Sequence, residues 1–96
     1  MPSYRVILTV GALRPGTPPE EVVPTAARSA AALAVVEASG VDVVAGEARI
    51  TVRFTADDRN AAAAVARQTV AGTDTAAEVV SWRLTERVGG RWRALL

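Results

Sequence analysis

The stretch Gly46 to Thr55 (GEARITVRFT) alternates without a break. Ala48, Ile50, Val52 and Phe54 fall on one side, and Arg49, Thr51, Arg53 and Thr55 on the other. Successive side chains of a strand point to opposite faces, so the pattern specifies a half-buried strand. Such a strand needs strand neighbours and a layer over its apolar side. The rest of the chain is therefore read for what could supply them.

Tyr4 to Leu13 (YRVILTVGAL) is a second alternating run, with Tyr4, Val6, Leu8 and Val10 on one face and Arg5, Ile7, Thr9 and Gly11 on the other. Its β-branched content suits a central place in a sheet. The loop RPGTPP follows. Thr17 and Glu20 have capping-box spacing and Pro18 fits a first helical position. Pro24 means either that the helix proper begins near Val22 or that a first turn kinks there. The spacing then predicts a helix through TAARSAAALAVVEA, ending at Gly40 as a left-handed cap. Val22 or Val23, Ala26, Ala30, Leu33 and Val36 would face inward, with Arg28 and Glu37 outside or at the margin.

Val41 to Ala45 reads as a short strand, joined to the alternating strand by Ala45-Gly46. A two-residue turn sets Val44 against Glu47, Val43 against Ala48, Asp42 against Arg49 and Val41 against Ile50. That register places Val41 and Val43 on the apolar face and predicts an Asp42–Arg49 ion pair on the other. Thr55 or Asp57 can cap a second helix, DRNAAAAVARQTVA, ending at Gly72. Its inner face is Ala61 or Ala62, Val65, Ala66 and Thr69, and Thr73-Asp74-Thr75 reads as a turn.

Glu78 to Val88 is the last long strand. Val80, Trp82 and Leu84 share its apolar face; Val79, Ser81, Arg83, Thr85 and Arg87 share the other. Gly89-Gly90 is a hairpin signal, because both residues tolerate positive φ. The tail RWRALL would fold back with Arg87 facing Trp92, Glu86 facing Arg93 and Leu84 facing Leu95. A cation–π pair and an ion pair follow from that register.

The order strand, helix, strand, strand, helix, strand resembles the ferredoxin-like (βαββαβ) superfold. The resemblance is to an architecture and names no family within it. It implies an α+β domain spanning residues 1–96, with a C-terminal hairpin extension at 89–96. The four-stranded antiparallel sheet would have the order 4-1-3-2, with two helices on one face and a short fifth strand outside strand four. Half of the residues are hydrophobic, mostly Ala and Val, so close-packed small helices would cover bulkier strand residues. Trp82 is expected to be a core anchor.

Composition narrows the chemistry. There is no Cys and no His, and the net charge is +1. Thiol nucleophiles, thiolate metal sites and imidazole acid–base chemistry are excluded. Glu20-Glu21 and Asp57-Asp58 stand where helices open, as dipole stabilisation favours, so no catalytic or metal-binding residue and no cofactor is assigned. All basic residues are Arg, which reads as a GC-rich bacterial coding bias. The N-terminus leads straight into a strand and no apolar run is long enough to span a bilayer. A cytoplasmic protein without membrane partners is the expectation.

Function then falls to the sheet face without helices. Its candidate ligand or partner residues are Arg5, Ile7, Arg49, Thr51, Arg53, Arg83, Arg87 and Trp92. The expected role is a small binding or assembly module, homodimeric through stacked faces or through the tail's edge, with a small anionic or aromatic ligand as a further possibility. Of the arginines on the alternating strand, Arg53 is the better anion ligand, since Asp42 would occupy Arg49. Nucleic acid is disfavoured, because RNA-recognition domains of this superfold stack bases on aromatics of the two central strands and none stands there. The alternative is a cofactor-free enzyme, with Tyr4, Trp92 and arginines lining a pocket between the open face and a second subunit.

Overall fold

The computed structural model describes residues Met1–Leu96. The elements are β1 (Ser3–Leu13), a 3-10 turn (Pro19–Glu21), α1 (Val22–Ala31), β2 (Val35–Val44), β3 (Glu47–Thr55), α2 (Arg59–Asp74), β4 (Ala77–Val88) and β5 (Arg91–Ala94). The strands form one antiparallel sheet in the order β2-β3-β1-β4-β5. β5 thus completes a five-stranded sheet, where the sequence suggested four strands with an appendage. The fold is α+β, with both helices packed on one sheet face.

The core follows from the alternation. Tyr4, Val6 and Leu8 of β1, Ile50, Val52 and Phe54 of β3 and Leu84 of β4 are buried against Ala26 and Ala30 of α1 and Ala62, Val65 and Ala66 of α2. Tyr4 stacks on Phe54 with ring centroids 5.8 Å apart. Trp82 is on this side too, but only half-buried at the core's margin. Tyr4, Phe54, Leu8 and Ile50 are the largest fully buried side chains instead.

The first helix differs most from expectation. α1 ends at Ala31, and Val35–Val44 is strand rather than the tail of a helix reaching Gly40. β3 exposes a backbone edge nine residues long, and β2 pairs along all of it, from Val35↔Thr55 to Val44↔Glu47. A helix to Gly40 would leave the Arg53–Thr55 end unpaired, and the β-branched pair Val35-Val36 favours the strand. A bulge between Val36 and Ala38 turns Glu37 out of the ladder. Leu33, expected to be buried, is 58% exposed beyond the helix end. Gly40 lies within β2 opposite Thr51 and caps nothing. No side chain caps α1; Pro24 is accommodated because it sits in the first turn, where backbone N–H groups lack helical partners.

α2 is capped by Asp58, whose carboxylate accepts from the Ala61 N–H at 2.8 Å, rather than by Thr55 or Asp57. The helix passes Gly72 and takes in Thr73 and Asp74. Thr69 and Thr73 are buried, and each hydroxyl donates to the carbonyl four residues back, at 2.7 Å. Gly72 is a site of close approach between helices. A Cβ there would collide with the Ser29 side chain, standing 2.6 Å from Ser29 Cβ.

Both hairpins keep the expected register. Ala45 and Gly46 adopt positive φ, as do Gly89 and Gly90, the backbone that matches strand twist in two-residue turns. Asp42 faces Arg49, Arg87 faces Trp92 and Glu86 faces Arg93. A bulge between Ser81 and Val79 exchanges the faces at the start of β4. Val79 therefore packs toward the core and Val80 is exposed beside Gly11, the reverse of the simple alternation.

Candidate binding face

The helix-free face is built by the outward residues of β3, β1 and β4, with Trp92 of β5 laid over one end. Pairing runs Arg53–Arg5–Thr85, Thr51–Ile7–Arg83 and Arg49–Thr9–Ser81 across the three strands. All eight residues singled out from the sequence lie on this face. They separate into two clusters, with Thr51 between them.

One cluster is closed. The guanidinium carbons of Arg5, Arg53 and Arg87 lie 4.0, 5.3 and 5.9 Å from the Trp92 ring centroid. Arg87–Trp92 was the anticipated pair, yet Arg5 makes the closest contact, because the indole reaches diagonally across β4 above the buried Thr85. Arg53 also donates from Nε to Glu37 at 3.3 Å, and Ser3 Oγ donates to the same carboxylate oxygen at 3.0 Å. Arg53 is therefore ion-paired and is not the free anion ligand of the sequence reading. Glu37 falls in the segment expected to be helical, and the bulge in β2 turns it onto this face.

The other cluster is open. A cavity of about 210 Å³ is lined by Ile7, Thr9, Arg49, Ser81 and Arg83, with Trp82, which shares the helix-side face with Leu8, bordering it between the last two. Arg49 is half-buried, and its Nε is shielded from solvent with no hydrogen-bond partner. The anticipated Asp42–Arg49 ion pair does not form, although the two residues are in register; the four salt bridges of the molecule lie elsewhere. Arg83 is exposed and likewise takes part in none of them. No carboxylate lines the cavity. Thr9 and Ser81 were legible as outward residues from alternation, but nothing in the sequence set them apart from ordinary strand surface.

The acidic groups with the clearest electrostatic roles lie away from this face. Glu86 does not pair with Arg93. It is on the helix side, where Arg59 donates to its two oxygens at 3.2 and 3.0 Å. Those bonds hold the Glu86 carboxyl below its ordinary range, against the opposing effect of burial. Burial, then the Glu86 charge, pushes the Tyr4 phenol up. Asp74 is held low chiefly by the Val79 N–H, which donates to it at 3.0 Å, and further by Arg14. Tyr4 lies on the opposite side of the sheet from Trp92, so the two cannot share the pocket imagined for an enzyme.

No family model, curated protein or solved structure matches the chain. No helix is long and apolar enough to cross a membrane.

Proposed function

We propose that the chain is a ferredoxin-like binding module that works as a homodimer, joined through β2 and presenting its open sheet faces to a ligand. Element order and the placing of both helices on one side support the architecture. The observation that carries the dimer is the free edge of β2. This edge strand is ten residues long; it contains no Pro, its bulge is confined to the Val36–Ala38 end, and its charges are Glu37, which Arg53 engages, and Asp42. Val41 is 54% and Val43 75% exposed, and Val35 and Val44 are exposed as well. Long apolar edges invite strand pairing and are ordinarily blunted by charge, Pro or cover. The opposite edge, β5, is four residues long and carries Arg91 and Arg93, so it is blunted in that way.

The occupant that fits is a second copy. An antiparallel pair centred on Val41 sets Ser39 against Val43 and Gly40 against Asp42, so no like charges meet. Val41 borders an apolar hollow of about 320 Å³ lined also by Val10, Val22, Val23 and Ile50, which a partner's valines would help to cover. A two-fold axis perpendicular to the sheet leaves both open faces on the same side. Stacking of the open faces is less favourable, because it would bring Arg5, Arg49 and Arg83 of each copy together. The cavity lining offers no group to act as a general base, so the reading rests on binding rather than catalysis.

Light scattering tests this directly. The unmodified chain is expected to run as a dimer at micromolar concentration, and a Val41→Lys, Val43→Lys variant as a folded monomer. A strict monomer at high micromolar concentration, or a dimer indifferent to those two lysines, would overturn it.

A further inference from the structure

We infer that the cavity between Arg49 and Arg83 is a binding site for a compact oxyanion, a carboxylate or phosphate group. The inference rests on the reading of the open face as the working surface, and it names the ligand chemistry. Three observations converge. The first is charge: Arg5, Arg53 and Arg87 are engaged by Trp92, and Arg53 also by Glu37, whereas Arg49 and Arg83 have no counter-ion. They stand on β3 and β4 with only β1 between them and two residues apart in register, roughly 12 Å on the diagonal of the sheet, within reach of one small anion for two long side chains.

The second is hydrogen bonding. Arg49 keeps an Nε–H buried and unpaired. A buried donor without an acceptor is unfavourable, and the arginine fork is shaped to give paired bonds to two oxygens of one anion. A slight outward turn of Arg49 onto such an anion would satisfy the group that the protein leaves unmet. The third is the lining. Thr9 and Ser81 add hydroxyl donors, Ile7 adds an apolar patch, and no carboxylate is present to repel a negative charge. At about 210 Å³ the cavity is smaller than the ~300–1,000 Å³ of sites that enclose drug-sized ligands. It therefore suits a single anionic group carrying a short apolar stub.

The test is an NMR titration of the full chain, at constant ionic strength, with inorganic phosphate in one arm and butyrate in the other. Backbone amides of Ile7, Thr9, Arg49, Ser81 and Arg83 are expected to shift saturably in at least one arm. The Arg49 Nε–H signal should move with them and become slower to exchange. A response to phosphate alone, to butyrate alone or to both identifies the source of the oxyanion. Arg83→Gln and Arg49→Gln should each weaken the response about tenfold. Arg83 is exposed, so its variant keeps the fold and carries the test even if the Arg49 variant does not. No saturable shift in either arm overturns the site, as does a response spread equally over Arg5, Arg53 and Arg87. The pocket lies on β3, β1 and β4, so the Val41→Lys, Val43→Lys monomer should still bind. An unmodified chain that is monomeric yet shows the shifts, or a dimer without shifts, separates failure of one proposal from failure of the other.

Discussion

Gly72 offers the sharpest test of how the two helices pack. In an exposed helix interior, Gly to Ala stabilises by about 1 kcal/mol, since the backbone loses less freedom on folding. At Gly72 the added methyl would overlap Ser29 Oγ and lie 2.6 Å from Ser29 Cβ. The hydroxyl could rotate away from its bond to the Thr25 carbonyl at 2.8 Å, but Cβ is fixed to the backbone of α1. Relief therefore requires the helices to separate, and overpacking of this kind costs about 1–3 kcal/mol. Taking the upper end because the obstacle is not a flexible tip, Gly72→Ala should lose ~2 kcal/mol net. In urea this lowers the midpoint by about 1–2 M, and in a thermal scan at fixed protein concentration Tm falls by roughly 10 °C. Ser29→Ala keeps the offending Cβ and should not rescue the variant. Ser29→Gly should, because Ser29 Cα lies 3.9 Å away, an ordinary contact. A double-mutant cycle of Gly72→Ala with Ser29→Gly is expected to show coupling of ~3 kcal/mol, the full overpacking cost. A Gly72→Ala protein as stable as the parent, or the same loss with Gly at position 29, would refute the close-approach argument.

Two further outcomes follow from the core and its polar margin. Phe54→Ala should destabilise by about 3–5 kcal/mol, whereas Trp82→Ala, at a half-buried position, should lose clearly less; urea midpoints that place Trp82 above Phe54 would show the core misassigned. The Glu86 carboxyl is held below its ordinary value of 4.5 by Arg59, and Asp74 below 3.8 by the Val79 N–H and Arg14. Both carboxylates thus contribute stability that is fully present above those ordinary values and is lost as pH falls through the lower folded-state values. Thermal melts should accordingly fall with acidification below about pH 4.5. Glu86→Gln should flatten that dependence without altering the slope near neutrality, and an unchanged acid limb would contradict the Arg59 assignment.

Alternation made most of the sheet legible. β1, β3 and much of β4 announce their faces at period two, and the short turns Ala45-Gly46 and Gly89-Gly90 fix both hairpin registers. The segment Leu33 to Gly40 was not legible, because apolar residues there satisfy a helical period as well as a strand. What decides between them is the free backbone edge of β3, a partner distant in sequence. The strand reading of this segment brings two structural features, the long β2 edge and the Glu37 carboxylate that engages Arg53. The residues of the helix-free face could be named one by one, but not its division into a closed and an open half. That division depends on how far the Trp92 ring reaches, on a bulge at Glu37, and on Asp42 failing to meet Arg49 despite facing it. Register determines which residues are neighbours; it does not determine which side chains bond.

The strand order also bears on the sequence of events during synthesis. β1 is made first, yet its two neighbours in the sheet, β3 and β4, lie at residues 47–55 and 77–88. While the chain emerges from the ribosome, Tyr4, Val6 and Leu8 have no completed layer to lie against, and one side of β1 stays unpaired until β4 appears. β2 and β3, by contrast, can close as a local hairpin as soon as both are made. The nascent chain thus carries an apolar strand that waits for nearly the whole of this domain, and contacts of that sequence range make for slow folding. Premature truncation before β4 leaves that strand permanently exposed, a species for chaperones or proteases rather than a smaller version of the same fold.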